Sequence, residues 1–254
     1  MSAAGNGPSN EQTIARQVRR EFAFDRYGAV IILILATILS TAFVGDKSWG
    51  LVVTLVLMSV TMNVTLRTSN ASRNLRIVGA VVSVLTILGL IAALLFGNEG
   101  PARVAYGLAM IALVLVTPVV IARRVAEHTV VTLSTVTAAA AIYLLLGLLF
   151  SVVFNLIGVV LGIMAGNPGA AAFFVASRPI VPSDFVYYSF TTLTTVGYGD
   201  LTASVPVGRL LSNVEALIGQ LYLVTIVALL VSNLGRSRRP VLADDSVDEE
   251  QSAD

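Results

Sequence analysis

Six long apolar runs restrict what this 254-residue chain can fold into. Hydrophobic residues make up 56% of it and charged residues 12%, about half the charged fraction of a soluble domain. A soluble core of this length cannot bury so much apolar surface, whereas apolar helices satisfy their own backbone groups in lipid. We therefore predict an all-α membrane protein with six transmembrane helices per subunit. The runs are 28–44, 49–66, 77–97, 104–122, a stretch within 129–166, and 210–234.

The fifth run, 129–166, is nearly twice as long as one span requires. In its first part Val130, Leu133 and Val136 recur three apart among threonines, a pattern typical of a helix lying along the membrane interface. We expect a linker helix over 124–137, with the span beginning at about Ala138. One long tilted helix is the alternative.

Arginine and lysine predict the orientation of the chain. Twelve basic residues lie on the side of the N-terminus, the second link, the fourth link and the C-terminal tail, against four on the opposite side. Because loops rich in Arg and Lys stay in the cytoplasm, both termini are predicted to be cytoplasmic, in a multi-pass protein of the plasma membrane. All but one of the basic residues are arginine, which is typical of a bacterial source.

The hydropathy pattern divides the chain into five segments. Residues 1–27 form a cytoplasmic segment, in which 11–26 have the pattern of a basic interfacial helix or of a solvated one. Residues 28–123 form a peripheral four-helix domain, 124–137 the linker, and 138–235 a two-helix domain. Residues 236–254 form a tail that is first basic and then acidic.

Composition removes several classes of function. The formal net charge is +1, there is no cysteine, and His128 is the single histidine. No polybasic surface for nucleic acid, no metal-ligand cluster, no nucleotide motif and no catalytic triad is visible. We therefore expect neither an enzyme nor a resident cofactor.

One segment, 194–200, carries chemistry: it reads TTVGYGD and resembles the selectivity-filter sequence of potassium channels. A dehydrated cation needs oxygen ligands in place of water, and successive backbone carbonyls supply them only in unusual dihedral angles, which Gly197 and Gly199 permit. The Thr195 hydroxyl adds an oxygen at one end, while Val196 and Tyr198 direct their side chains away and anchor the loop.

A short helix is predicted before this loop. Ser183 and Asp184 can cap a helix over 185–194, which is too short to span a membrane and must be re-entrant. The negative end of its dipole would then favour a cation beyond it.

From about Tyr187 to the end of the sixth run, the chain resembles the pore domain of tetrameric potassium channels, with TVGYG as the selectivity filter. The resemblance implies a homotetramer that passes K⁺ passively, with no cofactor besides the permeant ion. It assigns K⁺ coordination to Thr195, Val196, Gly197 and Tyr198, and Gly199 completes the loop.

The same resemblance implies a set of residues that support the filter. Asp200 corresponds to the carboxylate behind the outer mouth. Tyr187 and Tyr188 stand at the aromatic-cuff positions, and we expect them to be structural braces. Thr191 stands where some members of the family have a glutamate that pairs with this aspartate. The difference puts in doubt any account of filter inactivation taken over from the family. Thr194 directly precedes the filter.

The sixth run carries the inner-helix positions of the family. Gly219 corresponds to a hinge, with close helix packing as an equal alternative. Leu223, Val227 and Val231 fall where the inner helix lines the cavity and can narrow it, and packing against neighbouring helices is the alternative.

Glu215 is the one charged residue within the six runs. An intramembrane carboxylate is costly and is by default a functional candidate. We favour a structural partner of the pore helix or of a neighbouring subunit over a role in gating or permeation.

The placement of the first four runs resembles voltage-gated channels, but the fourth run lacks the charges of a voltage sensor. Arg103, Arg123 and Arg124 flank it, and 104–122 contains no arginine. We therefore predict a voltage-insensitive potassium channel. The alternatives are a non-selective or non-conducting protein of the same fold, or a secondary transporter, although no mirrored repeat is visible. Membrane lipids are expected partners, and an unknown soluble regulator is a further candidate.

Overall fold

The computed structural model describes residues 27–44, 48–69, 71–95, 99–126, 133–166, 173–175 and 178–234. Within these ranges most of the chain is helical, and the remainder consists of turns, loops and one isolated β-bridge. The helices are α1 (Gly28–Val44), α2 (Ser48–Thr68), α3 (Arg73–Leu95), α4 (Glu99–Ala126), α5 (Leu133–Met164), α6 (Pro182–Leu193) and α7 (Pro206–Leu234). The expected interfacial helix at 11–26, His128 and the tail 236–254 lie outside the described residues.

Four of these helices are long and apolar enough to cross a membrane, judged over the described ranges. The candidate spans are Trp49–Thr68, Arg73–Ile91, Val104–Arg123 and Ser134–Met164. Helix α1 is apolar but has only 17 residues, about 26 Å of helix. The all-helical class is confirmed for the described residues and is consistent with a membrane protein, and the count of six spans stays a prediction.

The helix that contains the expected boundary at Ala138 is continuous, and the position at which the membrane span begins stays a prediction. Residues Leu133–Thr137 are the first turns of α5, a single helix of 32 residues. Ala138, Ala139 and Ala141 are buried just beyond them, so the same face continues across the expected boundary. The alternative of one long helix therefore describes the chain from Leu133 onward.

Two of the front helices, α1 and α4, pack against α5 of their own chain. Helix α4 lies along α5, and α1 contacts α2, α5 and α6. The shared core contains Ile34 from α1, Met58 from α2, Leu113 from α4 and Leu145 from α5, all buried. Helix α3 lies at the outside of the bundle, and 17% of its apolar stretch Arg73–Ile91 is buried.

Several buried polar side chains inside this bundle are satisfied locally, whereas the Ser59 hydroxyl has no partner within the described residues. The buried hydroxyls of Thr61 and Thr117 donate to the carbonyl one turn earlier, in each case over 2.8 Å, which removes the cost of an unpaired group in apolar surroundings. Asn63 Nδ2 donates to Ser83 Oγ over 3.1 Å and so links α2 to α3. Such an interhelical hydrogen bond is what a lone amide in this run predicts.

A second core surrounds α6 and consists mainly of aromatic rings. We call Phe154, Phe173, Phe174, Phe185 and Tyr188 the aromatic cluster. Phe173 is central, with ring centroids 5.3 Å from Phe154 and 4.9 Å from Phe174, distances typical of favourable ring pairs. The cluster joins α5, α6 and the segment at 173–174 into one unit.

Truncating a central ring should destabilise the protein far more than truncating a peripheral one. Phe154→Ala removes a fully buried ring and should cost about 3–5 kcal/mol, whereas Phe43 is 82% exposed in the chain. We expect the thermal unfolding midpoint of the purified protein to fall clearly for Phe154→Ala and to change little for Phe43→Ala. Equal shifts would show that the aromatic cluster is not a core.

Candidate functional site

Helix α6 begins with a proline and an acidic first turn. Val181 is the N-cap, Pro182 opens the helix, and the Asp184 carboxylate accepts a hydrogen bond from the Val181 N–H over 2.9 Å. Proline suits the first helical position and a carboxylate suits the positive end of the dipole. The helix thus begins before the expected cap at Ser183 and Asp184, and Asp184 acts from the third helical position.

Asp184 also fixes the segment that leads into α6. Arg178 donates to both of its carboxylate oxygens, over 2.7 and 2.9 Å. The hydrogen bonds that it donates to Asp184 raise the pKa of the Arg178 guanidinium. This bidentate geometry holds the entry of α6 in one direction.

The TVGYG loop, Thr195–Gly199, directly follows α6 and is folded back on its last turn. The Val196 and Gly197 N–H groups both donate to the Thr191 carbonyl, over 2.9 and 3.1 Å, and the Thr195 N–H donates to Thr192 over 2.9 Å. The amides at the start of the loop are thereby satisfied by the helix. Across the described residues, no hydrogen bond ends on a carbonyl oxygen of 195–198.

Backbone dihedral angles in the loop alternate in sign. Thr195, Gly197 and Gly199 have positive φ values of 59°, 52° and 79°. Such alternation turns successive N–H groups to one side of the chain and successive carbonyls to the other. In a regular strand, by contrast, successive carbonyls point to alternate sides. Thr195 is the one residue other than glycine with positive φ in the described part of the chain, a strained conformation that occurs mostly at functional sites.

Tyr187 holds the far end of the loop. Its hydroxyl donates to the Asp200 carboxylate, with distances of 2.9 and 3.0 Å to the two oxygens. Its ring is stacked on that of Tyr198, with centroids 6.2 Å apart and planes 3° from parallel. The two contacts connect α6 to both a side chain of the loop and the residue that follows it.

Tyr188 and Thr191 do not contact Asp200. Tyr188 is buried in the aromatic cluster, and its hydroxyl lies 2.7 Å from Ser212 Oγ of α7. Thr191 contributes its backbone carbonyl to the loop, while its hydroxyl donates to the Tyr188 carbonyl over 2.9 Å. The two tyrosines at the expected cuff positions therefore have different partners, Asp200 for Tyr187 and Ser212 for Tyr188.

Beyond the loop, the chain is attached to the segment that precedes α6. Phe174 and Ala203 form an antiparallel bridge, with hydrogen bonds from Val175 N–H to the Thr202 carbonyl over 3.0 Å and from Ser204 N–H to the Phe173 carbonyl over 2.8 Å. The aromatic cluster packs beneath this bridge. The loop is thus held at both ends.

Glu215 lies fully buried where α5, α6 and α7 meet. Its Oε1 is hydrogen-bonded to the Ser189 hydroxyl, which also contacts the Gly147 carbonyl of α5 over 2.6 Å. The other oxygen, Oε2, has no partner within the described residues. Glu215 therefore connects α7 to the side of α6 that faces away from the loop.

Gly219 is a point of close approach between α7 and the end of α6. A Cβ atom there would lie 2.3 Å from the Leu193 carbonyl oxygen. The same carbonyl accepts a hydrogen bond from the Tyr143 hydroxyl over 3.2 Å. Helix α7 continues through Gly219 without interruption. The near approach is consistent with the close-packing alternative, and the hinge stays a prediction.

The expected gate residues are only partly described. Leu223 lies on α7 with its side chain 43% exposed. Val227 and Val231 fall in the same helix, but their side chains lie outside the described residues. The cavity-lining role of these three residues stays a prediction.

Sequence reasoning missed Ser189, Tyr143 and the phenylalanines at 173 and 174. A serine in a short helix carries no signal of its own. The sequence therefore does not indicate which residue pairs with Glu215. The phenylalanine pair precedes α6 by several residues, and its position over the helix depends on the bridge to Ala203.

Comparison with known proteins agrees with the geometry at the level of class. A family model described as ion channel matches residues 163–236, which cover the end of α5, α6, the TVGYG loop and α7. No curated protein and no solved structure matches the chain significantly. The match supports an ion-channel function for a membrane-embedded protein, and it does not extend to the front helices.

A methyl group at Gly219 should disturb the end of α6. Gly219→Ala places Cβ against backbone at 2.3 Å, whereas Gly89 in α3 has no neighbour within 4 Å. Alanine is otherwise favoured over glycine in a helix by about 1 kcal/mol. We expect a lower thermal midpoint for Gly219→Ala and an equal or higher one for Gly89→Ala. A stable Gly219→Ala protein would mean that the two helices are not in contact there.

Proposed function

We propose that this chain is one subunit of a homotetrameric, passive, potassium-selective channel, with the TVGYG loop as its selectivity filter. The observation that carries the proposal is the row of unused carbonyls from Thr195 to Tyr198. The loop amides are satisfied by α6, and the alternating φ signs direct these carbonyls to one side. Carbonyl oxygens in a row are the ligands that replace the water of a permeating K⁺ ion.

Four copies are proposed because one loop supplies oxygen ligands from one direction only. A dehydrated ion needs them on all sides. The loop is exposed along its length in the single chain, with Tyr198 72% exposed, and so are Leu217, Leu221 and Val224 of α7. Copies of the chain around one axis would cover both the loop and these side chains of α7. The Thr195 hydroxyls would then add the innermost ring of oxygens.

The surrounding residues are proposed to position the filter rather than to bind the ion. Helix α6 would serve as the pore helix, with the negative end of its dipole next to the loop. Tyr187 and Asp200 would hold the outer end, and Glu215 would fix the opposite face of the helix through Ser189. Thr191 and Thr194 would support the turn between helix and loop.

Changing Gly197 to alanine should abolish ion flux without dissociating the assembly. A residue with a Cβ atom pays roughly 1–2 kcal/mol in the left-handed region, and Gly197 has φ +52°, so the Val196 and Gly197 carbonyls should rotate. We expect potassium-dependent flux into liposomes for the unchanged protein and for Gly89→Ala, and none for Gly197→Ala.

Particle mass should be measured on the same samples. Loss of flux with an intact tetramer supports the filter assignment. Unchanged flux in Gly197→Ala, or a particle with two or three subunits, would contradict it.

The proposed channel is insensitive to voltage. A charge that crosses the whole membrane gains about 2.3 kcal/mol per 100 mV, but α4 has no arginine or lysine between Val104 and Ala122. In planar bilayers between −100 and +100 mV, open probability should change little. A steep sigmoidal dependence that requires several gating charges would refute this part of the proposal.

A further inference from the structure

A cavity of about 380 Å³ lies at the connection between α2 and α3, away from the TVGYG loop. Three arginines line it, Arg67 from the end of α2 and Arg73 and Arg76 from the start of α3. Leu66, Ile77 and Ala80 form its apolar wall. The cavity therefore combines a strongly cationic part with an apolar one.

The positive charge in this cavity is not compensated within the described chain. No acidic side chain lines it, and none of the three guanidinium groups is paired with a carboxylate of a described residue. The Arg76 Nε donates to the Ala71 carbonyl over 2.8 Å, which holds that side chain and leaves its terminal nitrogens available. Guanidinium groups arranged in this way match the oxygens of a phosphate.

The cavity lies at the depth of lipid headgroups. One candidate span ends at Thr68 and the next begins at Arg73, so all three arginines stand at the boundary between the apolar helices and water. Anionic lipids attract basic side chains at this level with about 1 kcal/mol per residue. A ligand bound here has its charged group at the membrane surface.

An apolar track continues from the cavity along α3. Ile77, Val81, Leu85 and Leu88 follow at spacings of three or four residues and share one face of the helix. Each is between 50% and 63% exposed. From Ile77 to Leu88 the track is about 17 Å long, which suits an acyl chain and not a free phosphate ion.

We propose that this cavity binds an anionic phospholipid, with the headgroup phosphate between Arg67, Arg73 and Arg76 and one acyl chain along the exposed face of α3. Charge complementarity selects the headgroup, and the apolar track selects a lipid over a soluble anion. The inference does not depend on ion conduction, because binding can be measured in the absence of flux.

The test compares two lipids on the purified full-length protein. Phosphatidylglycerol and phosphatidylcholine are titrated in detergent micelles, and binding is followed by native mass spectrometry and by the shift of the thermal midpoint. We expect phosphatidylglycerol to bind and stabilise, and phosphatidylcholine to do so much less. Equal binding of the two lipids would overturn the proposal.

Paired substitutions locate the binding. The double variant Arg67→Gln and Arg73→Gln should weaken phosphatidylglycerol binding about thirtyfold. The control with the same change in charge, Arg123→Gln and Arg124→Gln, removes basic residues at the end of α4 and should bind as the unchanged protein does. Arg67→Lys with Arg73→Lys should retain part of the affinity. If the Gln variant and the control lose phosphatidylglycerol affinity equally, binding depends on general charge and the cavity is not the site.

Inorganic phosphate distinguishes the two sources of the anionic group. Alone, it should give no thermal shift and should compete poorly with phosphatidylglycerol, because it cannot occupy the apolar track. If phosphate alone stabilises the protein as strongly as the lipid does, the site binds a soluble anion and the lipid proposal fails.

Discussion

The backbone of a short loop must leave its carbonyl oxygens without partners while its amides are satisfied, and the rest of the proposed channel depends on this constraint. Unpaired polar groups are costly away from water. In this chain the Thr191 carbonyl accepts hydrogen bonds from the amides of Val196 and Gly197, and the carbonyls of the loop are then open to a ligand. An ion that takes the place of water is the partner that such a row of oxygens fits.

The surroundings of α6 show how this arrangement is kept in place. Tyr187 and Asp200 connect the helix to the far end of the loop, Ser189 joins it to Glu215 and Gly147, and the Leu193 carbonyl packs against Gly219. The aromatic cluster fills the remaining side. Each contact fixes the helix and none of them uses a loop carbonyl, so the groups that support the loop are separate from the carbonyls proposed to bind the ion.

The sequence was most informative where a backbone conformation requires a particular residue type. Gly197 and Gly199 mark the left-handed positions, and the apolar runs predict α1, α2 and α3 to within about four residues at each end. It was least informative where a contact joins distant segments. The partnership of Tyr188 with Ser212, the bridge between Phe174 and Ala203, and the continuation of α5 through Thr137 depend on tertiary packing. Spacing along the chain does not encode such packing.

The central claim is that K⁺ passes between backbone oxygens that reject Na⁺. The most direct measurement is the reversal potential of the purified protein in a bilayer, with K⁺ on one side and Na⁺ at equal concentration on the other. The account predicts a reversal potential displaced strongly towards the equilibrium potential of K⁺. A reversal potential near zero would show that both ions pass equally and would contradict the account.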